Sequence, residues 1–383
     1  MKTIYMFLVR LWSSIFAGQR KTQITYLMSF GNNNEFVIKL AQRVAPLKLT
    51  IFYQTKIEKD AKELSELENA QLIKFDNGFS LFLKLIPTLM RSKLILIDNY
   101  FPFMGAIVKT KQMRVTQLWH ANGAIKEFGF SDPSTSQRSL SAQSRFQKVY
   151  DATDDIVVGS QKMASIFRIN YRLDGHQMRT LGYPRSDKFK NNEWMAQVRT
   201  QFFKSYPKLK DKRLILYAPT YRKDVQFSFA PNFENLKLPQ NAVLILRLHP
   251  HLQDLEKYWE QKASFITSID PKISTDELLT VADTLITDYS SILFDYTLLD
   301  NARHIGLFTF DQNKFKKTVG LQNDFFDEFH AIIISTVPQL SDFLINPKDQ
   351  TSIIKEINNS WNEFNDGKAT DRTINFLIER SEI

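Results

Sequence analysis

Two histidines stand where apolar runs end. In TQLWHANGAIKEFGF, residues 116–130, His120 follows an apolar and β-branched run, and Gly123 breaks the pattern soon after. In LILRLHPHL, residues 244–252, His249 closes a second apolar run and Pro250 stops any strand from continuing. A neutral imidazole can accept a hydroxyl proton, and one beside a phosphate can donate to its oxygen or protonate a departing one. The plainer reading of either is a strand-end histidine bonded to backbone, and His251 reads as a surface residue.

Other polar groups sit at similar junctions. In LITDYSSILFDY a run ends at Asp288, and Ser290 and Ser291 open a helix with Asp295 about one turn on. Free N–H groups at a helix start suit a phosphate, although serine there can equally be a plain N-cap. YAPTYRKD supplies Thr220 and Arg222, LGYPRSDKF supplies Arg185 and Asp187, and Arg247 precedes His249 by two residues. Guanidinium geometry matches phosphate oxygens. The chain has no Gly-rich P-loop, no dinucleotide fingerprint, no nucleophile elbow and no HExxH zinc helix. Phosphate binding therefore falls to helix starts and scattered basic side chains, which points to a nucleoside-diphosphate donor.

The elements that must position these residues alternate. Short apolar runs at 23–30, 47–53, 93–100, 114–120 and 155–160 form one series, and runs at 213–221, 241–250, 264–270, 283–291 and 303–310 form a second. Helical patterns lie between them, so βαβ units and parallel sheets are expected. Ligands of such sheets bind beyond the carboxyl ends of the strands, where the polar clusters lie. The expected fold is α/β with two Rossmann-like domains facing a cleft: residues 21–190, then 191–383, after an amphipathic helix at 1–20. In that helix Ile4, Phe7, Leu8, Leu11 and Ile15 share a face, either packing on a core or lying on a membrane surface. Residues 131–144, SDPSTSQRSLSAQS, read as a mobile loop or, more plainly, a surface connection, and the tail from about 351 is helical in pattern and free to pack on either half.

Composition narrows the class. With 43% apolar and 13% aromatic residues in 383, the chain has material for buried cores and exceeds the size one core usually organises. The absence of cysteine excludes disulfides, thiolate zinc sites and a thiol nucleophile, and makes a cytoplasmic address the default. A formal charge of +9 points to an anionic partner. No aromatic-interleaved basic patch or nucleic-acid motif is present, so a non-catalytic protein binding nucleic acid or lipid ranks well below an enzyme and no nucleic-acid partner is expected.

In order and spacing, QLWHANGAIKEFG, LGYPRSDKF, ILYAPTYR, LRLHPHL and DYSSILFDY resemble the CDP-glycerol glycerophosphotransferase family of bacterial teichoic acid synthesis. The resemblance covers roughly residues 115 to 325. Ala121–Lys126 is more similar to the priming branch than to polymerases, which more often carry Gly-Thr-Pro there. It implies a glycosyltransferase-B-like fold, with His120 as catalytic base and His249 at the donor diphosphate. Ser290 and Ser291 would cradle that diphosphate, while Asn122, Lys126, Arg185, Asp187, Thr220, Arg222, Arg247, Asp288 and Asp295 complete the substrate-binding set. The implied reaction moves glycerol phosphate from CDP-glycerol to an undecaprenyl-diphosphate-linked disaccharide at the cytoplasmic face of the membrane. A polymerase or a CDP-ribitol transferase is the enzyme alternative. Arg247 stands where the family often has lysine, and residues 302–325 follow its pattern loosely. No metal or cofactor is required, though a solvent-held Mg²⁺ is compatible with this chemistry. An anionic membrane surface is the expected partner, and other teichoic acid enzymes are compatible ones.

Overall fold

A computed structural model of the chain describes residues 2–76, 78–220, 229–249 and 252–383. The chain divides into two units. Unit 1 gathers Met1–Ala121, Phe128–Asp187 and Glu363–Ile383, and unit 2 gathers Asn122–Glu127 and Lys188–Asn362.

Unit 1 is built on strands β1 (Gln23–Leu27), β2 (Lys48–Tyr53), β3 (Ala70–Lys74), β4 (Ser92–Ile97), β5 (Arg114–Gln117), β6 (Asp155–Val157) and β7 (Met178–Arg179). They pair in the order β3-β2-β1-β4-β5-β6-β7, parallel throughout. The central strands are buried on both faces, which is why they read as continuous apolar runs rather than alternating ones. The order reverses between β1 and β4, and it is at such a switch point that parallel sheets open a crevice.

Helix α1 (Lys2–Ile15) packs on this unit through Tyr5, Met6, Val9 and Trp12. The Trp12 indole donates to the Phe82 carbonyl at 2.6 Å, and Ser13 Oγ accepts from the Val108 N–H at 3.1 Å. The stripe expected to be its buried or membrane-facing side is left outward: Ile4 is 63% exposed, Phe7 62%, Leu11 51% and Ile15 63%. Helices α2 (Asn34–Val44), α3 (Leu140–Asp151) and α4 (Gln161–Tyr171) complete the amino-terminal part of this unit. The supposed loop at 131–144 is largely ordered: Pro133–Ser136 forms a helical turn capped by Asp132, and Ser139 caps α3. Its run of small hydroxyl residues supplies caps, which composition alone does not distinguish from loop.

Unit 2 holds β8 (Arg213–Tyr217), β9 (Ala242–Leu246), β10 (Thr284–Thr287), β11 (His304–Phe308) and β12 (Ile333–Ile334). These pair in parallel in the order β12-β11-β10-β8-β9, with the switch point between β8 and β10. The strand expected at 264–270 is reduced to a single bridge, Leu244 to Ile266. Helices α5 (Asn192–Ser205), α6 (Thr275–Val281), α7 (Ile292–Tyr296), α8 (Val337–Ile345) and α9 (Thr351–Trp361) accompany this sheet. The last helix, α10 (Ala369–Ser381), belongs to unit 1, so the second domain does not run unbroken from 191 to 383. Asp187 is one cause: its carboxylate accepts the N–H groups of Ala369 at 3.0 Å and Thr370 at 2.7 Å. Gly182 is another, with φ of +80° and a carbonyl, that of Phe364, lying 2.2 Å from where a Cβ would stand.

Candidate active site

In unit 1 the site grows from Asp98, the residue that follows β4 at the switch point. It is fully buried, and its carboxylate accepts the Ser29 N–H at 2.9 Å, the Phe30 N–H at 3.0 Å and the Tyr26 hydroxyl at 2.8 Å. Burial raises its pKa to about 6, against the pull of those three donors. The carboxylate thereby fixes the turn after β1 and with it Phe30, whose ring stacks on His120 at 4.2 Å and 19°.

His120 lies just past β5 and is half-buried. Its Nδ1 is 2.9 Å from the main-chain oxygen of Asp98. A carbonyl oxygen can only accept, so Nδ1 carries the proton and Nε2 keeps its lone pair. Burial pulls the imidazole down to about 4; the bond to Asp98 opposes this and the charge of Arg185 adds to it. The ring is therefore neutral at physiological pH, as a base must be.

The backbone is turned there at some cost. Trp119 has φ of +63°, a conformation that costs a bulky residue about 1–2 kcal/mol. Two asparagines hold it: Asn33 Nδ2 donates to the Trp119 carbonyl at 3.0 Å, and Asn32 Nδ2 to the His120 carbonyl at 2.7 Å. Phe30, Asn32, Asn33 and Asp98 escape a sequence reading, although ILIDNY at 95–100 carries the same strand-then-aspartate signal as LITDYS.

Arg185 is buried and near enough to depress His120. Asp187 accepts from the start of α10 through both carboxylate oxygens, a structural tie that the expected substrate contact did not include.

Immediately after His120 the chain enters unit 2. Asn122 is fully buried there, and a Cβ on Gly123 would meet the Phe294 ring at 2.1 Å. Lys126 forms an antiparallel bridge with Leu321, and Gln322 donates through its backbone to Ile125 and through Nε2 to the Lys126 carbonyl. The loosely matching 302–325 segment thus has a task, which is to pin the stretch after His120.

At the switch point of unit 2 the construction repeats. Asp288 follows β10, is 1% exposed, and accepts the Thr220 N–H at 2.7 Å and the Tyr289 N–H at 2.6 Å. It ties the end of β8 to the end of β10 as Asp98 ties β1 to β4. Ser290 and Ser291 follow directly. The helix they open, α7, has five residues, and Ser291 makes no capping bond. A dipole from so short a helix is weak, so any phosphate affinity here comes from hydroxyls and N–H groups. Asp295 is buried in α7. Arg247 lies 3.6 Å from Glu256, and His249 is exposed past β9. Arg222 and His251 lie outside the described residues. Among the described residues no three His, Asp or Glu side chains converge on a metal site.

Residues 41–379, both sheets nearly whole, match the family described as CDP-Glycerol:Poly(glycerophosphate) glycerophosphotransferase. The chain belongs to that family. As a glycerophosphotransferase of this kind it acts by phosphotransfer. It is 30% identical to the teichoic acid glycerol-phosphate primase of Bacillus subtilis, over 93% of this chain and 92% of the relative. Identity to the primase of Staphylococcus aureus is 28% over 99% and 96%. It is 27% identical to the teichoic acid poly(ribitol-phosphate) polymerase of Bacillus spizizenii over 95% of this chain, covering 56% of that protein. Among solved structures, the wall teichoic acid polymerase TagF superposes with a TM-score of 0.74 at 19% identity, over 100% of this chain and 95% of that one. That likeness shows a shared glycosyltransferase-B-like fold of two Rossmann-like units.

Proposed function

We propose that the enzyme primes wall teichoic acid. It transfers glycerol phosphate from CDP-glycerol to the N-acetylmannosamine hydroxyl of an undecaprenyl-diphosphate-linked N-acetylmannosaminyl-N-acetylglucosamine disaccharide. The observation that carries the transfer chemistry is His120, locked with Nε2 unprotonated. Nε2 takes the proton of the attacking hydroxyl as its oxygen bonds to the glycerol-bearing phosphorus; the bond to the bridging oxygen breaks and CMP leaves with that electron pair. Such a reaction relies on positioning and on stabilising spread negative charge, with no covalent intermediate. His249, Arg222, Arg247, Ser290 and Ser291 would hold the donor diphosphate, and Thr220, Asp288 and Asp295 would shape their loops. Asn122, Lys126 and Arg185 would act around the acceptor and the departing charge. The priming assignment rests on the two glycerol-phosphate primases matched along nearly their whole length.

Chain extension, or transfer from CDP-ribitol, is the second reading, supported by the match to the poly(ribitol-phosphate) polymerase over nearly all of this chain. Work at the cytoplasmic face of a membrane is supported by the exposed stripe of α1 and the charge of +9. No described helix is long and apolar enough to cross a bilayer.

CMP release, measured with a synthetic lipid-linked disaccharide and either CDP-glycerol or CDP-ribitol, tests both readings. Priming predicts release from CDP-glycerol that stops at one unit per acceptor, and a loss of about 10²- to 10⁴-fold in His120→Ala with the fold intact. Continued release, or release from CDP-ribitol, transfers the assignment to the second reading. Wild-type rates in folded His120→Ala would remove the base.

A further inference from the structure

Unit 1 contains a cavity of about 620 Å³ that no role above uses. Its walls come from α1 (Lys2, Tyr5, Met6), the loop after β4 (Asn99, Tyr100), the Trp119 turn, and the capped segment and helix at 132–150. Three features define its chemistry.

First, it is aromatic. Tyr100 meets Phe146 edge-on at 5.7 Å and Tyr150 tilted at 5.8 Å, and Tyr150 stacks on Tyr171 at 3.9 Å. Trp119 packs on Phe128 at 5.4 Å and on His120 at 4.4 Å, so one ring joins the cavity wall to the proposed base. Rigid ring faces of this kind suit the C–H faces of a sugar.

Second, it is cationic. Arg138 and Arg145 line it from one side, and neither forms an ion pair with a described carboxylate; Arg138 lies over the Phe146 ring at 4.9 Å. Both charges reach Tyr100, opposing the burial that lifts its hydroxyl to about 12. Asp132 also lines the cavity, with Oδ1 accepting the Ser134 N–H at 2.8 Å; it can accept in turn from sugar hydroxyls. Two guanidiniums without an ion pair to a described carboxylate, at the rim of a partly apolar cavity, suit an oxyanion, although Arg138 also donates to Ser134 Oγ at 3.4 Å.

Third, α1 forms part of the wall. The helix that contributes Lys2, Tyr5 and Met6 to the cavity carries the exposed Ile4, Phe7, Leu8, Leu11 and Ile15. A ligand with a sugar, a phosphate and a hydrocarbon tail matches all three features; a free sugar or free phosphate matches one each.

We propose that this cavity binds the head of the lipid acceptor, with Arg138 and Arg145 on its phosphates and the aromatic wall, up to Trp119, on its sugar. The inference rests on the priming reading for the identity of the sugar, but not for the class of ligand. Binding is therefore measured without CDP-glycerol, so that no turnover enters. Calorimetric titration of the full-length enzyme would use tridecyl-diphosphate-linked disaccharide, tridecyl diphosphate and inorganic diphosphate as probes. Wild type would be compared with Arg138→Ala, Arg145→Ala, the double variant and His120→Ala.

Each arginine variant should weaken the glycolipid roughly tenfold or more. The acceptor KM should rise with the KM for CDP-glycerol unchanged, while His120→Ala binds normally and does not transfer. Arg138 is exposed and Arg145 partly so, and unchanged melting curves confirm that the variants fold. Arginine-dependent binding of tridecyl diphosphate without binding of the disaccharide form would sustain the cavity and overturn the priming acceptor. Wild-type affinity in the double variant, no binding of either lipid probe, or inorganic diphosphate binding as tightly as the glycolipid would each overturn the proposal.

Discussion

His120 is tuned by burial, by a main-chain oxygen and by the charge of Arg185, with no carboxylate among the described residues bonded to its ring. The consequence is a base that stays neutral well below the usual histidine range, since its pKa lies at about 4 rather than 6.5. The rate in kcat/KM should accordingly stay flat from pH 8 down through 6.5 and fall only as pH approaches 4 to 5. A limb centred near 6.5 in the pH–rate profile would show a solvated ring instead. Stability behaves differently. Between pH 6.5 and 4 the unfolded chain protonates His120 and the folded one does not, so this contribution is lost as pH falls. Asp98 has the opposite sign: with a folded pKa of about 6 against 3.8, its contribution is lost as pH rises through that value. The two oppose each other in stability over almost the same window, whereas the fall in rate near pH 4 to 5 follows His120.

At the scale of elements, the two halves use one device. An aspartate directly after the strand across each switch point, Asp98 after β4 and Asp288 after β10, accepts backbone N–H groups from the loop after the first strand. Asp187 does comparable work for α10. Replacing it by alanine leaves two helix-start N–H groups without their acceptor and should cost about 1–2 kcal/mol, read as a lower melting temperature. An unchanged melting temperature with a raised KM would return Asp187 to the substrate. These ties explain what sequence could and could not supply. Long apolar runs buried on both faces announced the central strands, and the polar clusters at their ends announced the two histidines. The partner of Asp187, by contrast, lies more than 180 residues away and leaves no local pattern. Asn32 and Asn33 act through backbone carbonyls of Trp119 and His120, contacts that no periodicity encodes. The strand at 264–270 failed because its apolar run is short and pairs at one residue only.

For the whole molecule, the proposed attachment to a membrane draws on the exposed side of α1 and the basic charge together. Burying two large apolar side chains is worth about 1.5–3 kcal/mol each, so Phe7→Asp with Leu11→Asp should cut sedimentation with anionic vesicles by roughly tenfold or more. Both positions are more than half exposed, so the melting curve should not move. Retained sedimentation in that variant would assign the attachment elsewhere. The path of the chain carries one more consequence. Unit 1 draws its last piece from Glu363–Ile383, after every residue of unit 2 has been made. Synthesis on the ribosome therefore completes unit 2 first, and the half that bears His120 gains its last helix only after Asn362 has been added.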